Sequence, residues 1–441
     1  MRNSSVVKTK ILILLVLVST IISCSQKDEE SILLKNGIRL VYKNIPHARV
    51  VTILMNVNAG SILETEETRG IAQLTAQCLF QRSRHYSNIK RTLDSFGAHF
   101  YVETSHQDFT TFSLTAGEPY LDSMVTIIAD VIQFPVLNDS LLKLTKHRLK
   151  INYLQQGNSV QEYMKKTFLQ HAFHVHPYRF FCKADIEDIF KRNLQDVQQF
   201  HKNAFIPQNI SIVITGPRSS YRGIRQLRNL LQNFSQSPDK QFEWENEPEQ
   251  LAPRRIRCTH PFGDQFAFVA VGWRAPSIRN PDTFTMDLIM AVLGMGESSR
   301  LNKHIRDQNP DVYYVWAEYL TPRDPGVFII NAICDPASVE KVEKTILKEC
   351  AILRKDLITP SEIERAVQLF EAQQAYHWEN TESAAAYLGY WTVMKDYNFA
   401  QNYLKQLKSV SLDEIQQVAR KYLKEDTYTS VIMLPEGVED K

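Results

Sequence analysis

The first apolar block of the chain is unbroken: Ile11 to Val18, extended by Ile21 and Ile22, follows Arg2, Lys8 and Lys10 and ends at Ser23-Cys24. It falls short of the ~20 residues a membrane-spanning helix needs and has the order of an export signal, basic then apolar. Beyond it the pattern becomes periodic. Leu33-Leu34-Lys35-Asn36-Gly37-Ile38-Arg39-Leu40-Val41 places Asn-Gly between apolar runs, which predicts a β-hairpin. Ile71, Leu74, Cys78 and Leu79 recur at roughly 3.6-residue spacing, which predicts a helix over 70–80 with Thr68 capping its first turn.

Later segments repeat earlier ones. Asn193-Leu194-Gln195-Asp196-Val197-Gln198-Gln199-Phe200 matches Ser411-Leu412-Asp413-Glu414-Ile415-Gln416-Gln417-Val418, 218 positions on, and each predicts a capped helix followed by a strand, Ile210 to Ile214 and Thr429 to Met433. Phe112-Ser113-Leu114-Thr115-Ala116 and Phe328-Ile329-Ile330-Asn331-Ala332 form a second matched pair of strands at a similar offset. The second half opens less regularly, with strands near Arg255 to His260 and Gln265 to Trp273. Ser235 to Pro253, rich in Gln, Glu, Pro and Asp, reads as a linker. The expected fold is α+β: two homologous halves, 32–234 and 254–438, each with about five strands in a largely antiparallel sheet covered by helices, closing as a clamshell around a cavity. Residues 1–23 read as signal, 24–31 as a tether and 235–253 as the linker.

Composition narrows the function classes. At 441 residues and 44% hydrophobic, the chain can bury a sizeable core. Removal of residues 1–23 takes three of the 51 basic residues and leaves 48 against 49 acidic ones, which gives no support for nucleic-acid binding. Ile21-Ile22-Ser23-Cys24 resembles a bacterial lipobox. Cleavage before Cys24 would leave a lipidated N-terminus on a protein of the bacterial envelope, facing the periplasm, and Ser25 favours the outer over the inner membrane. An uncleaved anchor, or a secretory peptide with an incidental cysteine, is the alternative. The other cysteines, Cys78, Cys182, Cys258, Cys334 and Cys350, are odd in number and widely spaced, and read as small buried apolar residues rather than a disulfide scaffold or metal knuckle.

The helix over 70–80 carries the candidate chemistry by what it lacks. Gln73 and Gln77 share one face; histidines at those two positions with glutamate at Ala76 would make HxxEH, which binds zinc and activates a water. A glutamine carbonyl is a poor zinc ligand and a methyl group accepts no proton.

Taken with Ala59-Gly60-Ser61, Glu64, Gly70, Gly97, Thr104, His176-Pro177-Tyr178, Pro207-Gln208-Asn209-Ile210, Leu293-Gly294, Ser298-Ser299-Arg300-Leu301 and Val312-Tyr313-Tyr314-Val315, the chain resembles the insulinase and pitrilysin superfamily of inverzincin peptidases over nearly its whole length. The resemblance is to bacterial relatives of mitochondrial processing peptidase. Active members take a third zinc ligand from a glutamate downstream; the corresponding window, Arg148 to Gln156, holds no acid. Tyr101-Val102 occupies the place of the family's substrate-pairing strand. The resemblance therefore implies a non-catalytic subunit with no metal or cofactor of its own, inactive alone. Arg300 and Tyr313 match positions that complete the active site in two-chain relatives. They would serve an HxxEH-bearing, Zn2+-containing partner by holding a carbonyl of an unfolded peptide or small protein substrate and its developing oxyanion. Two rivals stand: a non-enzymatic binding or scaffold protein of the same fold, and a peptidase whose metal sits on His171, His174 and His176.

Overall fold

A computed structural model describes residues 28–156, 159–235, 244–263 and 265–437. The signal segment 1–23 and Cys24 lie outside these residues, as do 235–253 in part. Alternating apolar positions build eleven strands: β1 (Glu29–Leu33), β2 (Arg39–Asn44), β3 (Val50–Val57), β4 (His99–Glu103), β5 (Thr110–Gly117), β6 (Ile210–Gly216), β7 (Arg254–His260), β8 (Ala267–Ala275), β9 (Val312–Leu320), β10 (Gly326–Cys334) and β11 (Thr429–Pro435). They form two sheets, in the orders β1-β2-β6-β3-β5-β4 and β7-β11-β8-β10-β9. From β2 onward the orders are the same, and each sheet holds one parallel pair, β2 with β6 and β7 with β11, among antiparallel neighbours. The internal repeat thus extends to topology. Both repeat helices carry the expected N-cap, closed into a capping box, Asn193 with Asp196 and Ser411 with Glu414, in which each side chain satisfies a backbone N–H at the other's end of the first turn.

The first sheet has six strands rather than about five. β1 begins at Glu29, so part of the expected tether is a paired edge strand whose Glu-Glu-Ser start hides it from hydropathy; it joins β2 through the Asn36-Gly37 turn.

The halves also trade helices. Helix Val160–Ala172, from the first half, packs on β8 and β11 of the second sheet, where Met164, Phe168 and Leu169 share a core with Phe268, Ile329 and Met433. Helix Thr381–Met394, from the second half, packs on β3 and β6 of the first sheet, where Leu388 and Trp391 meet Leu54 and Val213. Polar bonds fix the second docking: the hydroxyls of Thr52 and Thr215 donate to the Thr381 hydroxyl and carbonyl at 2.9 and 2.7 Å. Glycines set how closely each helix lies. A Cβ on Gly389 would come 2.5 Å from Leu54, and one on Gly272 would come 2.5 Å from the Phe328 carbonyl and 2.6 Å from the Phe168 ring. Each sheet consequently has both faces covered, which is why β3, β6, β8 and β11 are buried almost end to end, polar positions included. Among the described residues no helix is long and apolar enough to cross a membrane.

Candidate functional site

The motif helix spans Ile71–Leu79, and its start differs from expectation. Gly70, not Thr68, occupies the cap position, in the left-handed region at φ 81°, where only a residue without Cβ sits without strain. Thr68 instead closes a capping box with Thr65 around the single turn Glu66–Thr68. The donors at the helix start go to Glu64, whose two carboxylate oxygens accept the N–H groups of Gly70 and Ala72 at 3.0 and 2.9 Å. Burial pushes the Glu64 carboxyl up to about 7, against the pull of those two bonds and of the Arg69 and Arg192 charges. Sequence reasoning noted Glu64 only as part of a resemblance. Its role becomes visible when the loop folds it back over six residues.

This helix presents Gln73 and Gln77 to a cavity of about 620 Å3. The same cavity is lined by β4, through Tyr101, Val102 and Glu103, and by helix Asp139–Gln156, which packs against the motif helix, through Leu149, Asn152 and Tyr153. Part of the acid-free window, Leu149, Asn152 and Tyr153, thus borders the same cavity as the two glutamines. Ala76 does not border the cavity: its methyl is fully buried in the core of the first half. Two ion pairs, Lys166 with Asp185 at 2.7 Å and Lys183 with Glu162, frame the remaining wall. Burial raises the Tyr101 phenol above its ordinary range, so that side chain is neutral near neutral pH. β4 is the last strand of its sheet and pairs only with β5, so one of its edges has no ladder partner.

The donor set does not fit zinc. Two carboxamides and an asparagine amide at the motif and window positions offer neither imidazole nor carboxylate, and among the described residues no three His, Cys, Asp or Glu side chains cluster closely enough to hold a metal ion. The three histidines of the rival site diverge. His176 is buried, with Nδ1 accepting from the Tyr178 N–H and Nε2 3.5 Å from Asp324, whereas His174 is exposed and His171 half-buried. The backbone N–H groups of 174–176 converge on Glu247, a carboxylate those bonds hold down although burial opposes them. This segment is a structural joint between the halves.

Arg300 and Tyr313 lie in the second half and do not border the cavity. Arg300 makes a two-pronged bond to Glu362, Nε to Oε1 at 2.6 Å and Nη2 to Oε2 at 3.0 Å, which with the Thr359 cap pulls the Glu362 carboxyl down to about 2. Glu362 in turn belongs to the capping box of helix Pro360–His377. Tyr313 is on edge strand β9, with its hydroxyl donating to Asp335 at 3.0 Å and its ring against Phe266 at 4.9 Å. Neither set of partners was foreseeable from spacing, because both come from residues more than twenty positions away.

Comparison with known proteins fits this geometry. Residues 39–179 match the family model described as Insulinase (Peptidase family M16), and residues 191–370 match that of the Peptidase M16 inactive domain. The chain is 22% identical to Zinc protease PqqE of Helicobacter pylori over 413 residues, covering 92% of this chain and 93% of that one. It is 21% identical to the mitochondrial-processing peptidase subunit alpha of Rattus norvegicus over 369 residues, 76% of this chain and 68% of the relative. The crystal structure of a protease from Helicobacter pylori superposes with a TM-score of 0.85 at 21% identity, covering 92% of this chain and 99% of that one. With both halves matched in order and the fold shared, the chain belongs to the insulinase-like peptidases of family M16.

Proposed function

We infer that this protein is the non-catalytic subunit of a heterodimeric metallopeptidase, lipid-anchored through Cys24 at the bacterial envelope, facing the periplasm and held by the outer rather than the inner membrane. One observation carries the reading: a cavity of about 620 Å3 lies beside the motif helix, while the helix that would supply its metal ligands presents Gln73 and Gln77 and buries Ala76. The partner would be a homologous chain bearing HxxEH and Zn2+. The substrate would be an unfolded peptide or small protein lying as an extended strand along the free side of β4, since an edge strand supplies main-chain bonds without demanding a particular sequence. Similarity to a processing-peptidase alpha subunit supports a paired arrangement. Purification of the chain alone and with an envelope homologue carrying HxxEH tests this. The pair is expected to cleave a reporter peptide; cleavage by the isolated chain with one zinc per molecule would overturn the reading.

A scaffold role with no enzymatic partner is favoured by one specific feature. Arg300 and Tyr313 are already engaged, by Glu362 and Asp335. In a reconstituted pair, Arg300→Ala and Tyr313→Phe are expected to lower turnover at least tenfold. Full turnover in both variants would assign the two residues to packing.

A further inference from the structure

We propose that Gln73 and Gln77 are a binding site in their own right: a pair of carboxamides that grips the backbone of an extended peptide lying between the motif helix and β4. The inference rests on the peptide-chamber reading above and assigns a role to residues that reading treats as a loss.

Three observations converge. The two side chains are one helical turn apart on the same face and both border the cavity. The side-chain oxygen of Gln73 is buried with no donor reaching it. Such an orphaned acceptor is costly, and it can turn toward the cavity without losing a bond of its own. β4 borders the same cavity and, as an edge strand, has one side without a ladder partner.

A peptide strand placed beside β4 uses one of its edges for ladder bonds and leaves the other edge facing the glutamines. A carboxamide holds an acceptor and two donors at one end, so it matches a peptide bond in both senses, C=O receiving N–H and NH2 giving to C=O. Two of them, spaced by a helical turn, span neighbouring outward-facing groups of a strand. Histidine ligands at the same positions would spend their lone pairs on the metal; glutamines spend theirs on the peptide. The site recognises main chain, so its ligand class is an unfolded segment free of proline, with side-chain choice left to Tyr101 and Tyr153.

The test measures binding by fluorescence anisotropy on the purified chain, using a fluorescein-labelled dodecapeptide of alternating Thr and Val flanked by Lys. Gln73→Met and Gln77→Met keep length and helix propensity and remove the amide. Each is expected to weaken binding about three- to tenfold, the value of one net hydrogen bond, with a melting temperature no lower than the parent's, since Gln73→Met removes an orphaned acceptor. The same peptide with alternate amides N-methylated is expected to lose binding in at least one phase of methylation. If both Met variants bind like the parent while N-methylation still abolishes binding, the glutamine site is overturned and the edge-strand chamber stands. Equal binding of the methylated peptides overturns recognition of the main chain. Absence of binding by the parent chain overturns the chamber reading and the site together.

Discussion

Glu64→Gln isolates what the buried carboxyl at the motif helix contributes. The folded protein holds the Glu64 proton to about 7 against an ordinary 4.5, because the group is fully enclosed and only two backbone donors and two distant guanidinium groups oppose that burial. At 1.36 kcal/mol per pH unit, the displacement is worth roughly 3 kcal/mol. The folded state binds the proton more tightly than the unfolded chain, so this stability is fully present below about pH 4.5 and is lost as pH rises through about 7. Glutamine carries no titration. It also presents an NH2 where one carboxylate oxygen accepted an N–H, a fixed loss of about 1–2 kcal/mol at every pH. Urea unfolding of parent and variant at intervals from pH 4.5 to 7.5 therefore yields two curves that are not parallel: the variant begins less stable and gains on the parent by up to about 3 kcal/mol across the range. A constant offset at all pH values refutes the argument that burial dominates at Glu64. It would place the two N–H bonds, together with the positive end of the helix, ahead of desolvation.

Three further outcomes follow from the geometry. Gly272→Ala forces a methyl to 2.5 Å from a strand carbonyl and 2.6 Å from the Phe168 ring, and is expected to cost about 1–3 kcal/mol in urea unfolding, with protease cleavage between the halves rising in step. Arg300→Ala leaves Glu362 without its guanidinium; the expected loss is about 1–2 kcal/mol at pH 7, since solvent reaches the pair, and it shrinks toward zero as pH falls through about 2, where the Glu362 contribution is lost in the parent as well. Gln73→His with Gln77→His is expected to bind zinc weakly, and addition of Asn152→Glu from the neighbouring helix to bring uptake to one ion per chain by atomic emission; equal zinc content with and without the Asn152 change would show that the window does not reach the motif face.

Local rules carried far into this fold, and their failures have physical causes. The motif helix, the hairpin at Asn36-Gly37 and both repeat N-caps lie where periodicity and cap chemistry put them, because each is decided within a few residues. Thr68 was outbid as a cap by Glu64, a long-reach acceptor that no short motif describes. β1 was hidden because an edge strand with one partner tolerates Glu29, Glu30 and Ser31. At the site, the identities of Gln73 and Gln77 and the acid-free window were legible, and residues of both border one cavity. The engagement of Arg300 and Tyr313 was not, because an ion pair between Arg300 and Glu362 depends on how two helices meet and leaves no periodic trace.

The traded helices set a condition on how the chain is made. The last strand of the first sheet ends at Gly216, but the helix that covers that sheet's outer face ends only at Met394, about 180 residues later. At the ~5–20 residues per second of synthesis, the apolar face bearing Leu54 and Val213 stays uncovered for on the order of 10–35 s. No half can finish by itself, so the unit that reaches the native state is the whole chain. Under the export proposed above, that delay would keep the leading half unfolded while it is threaded across a membrane, with folding completed on the far side.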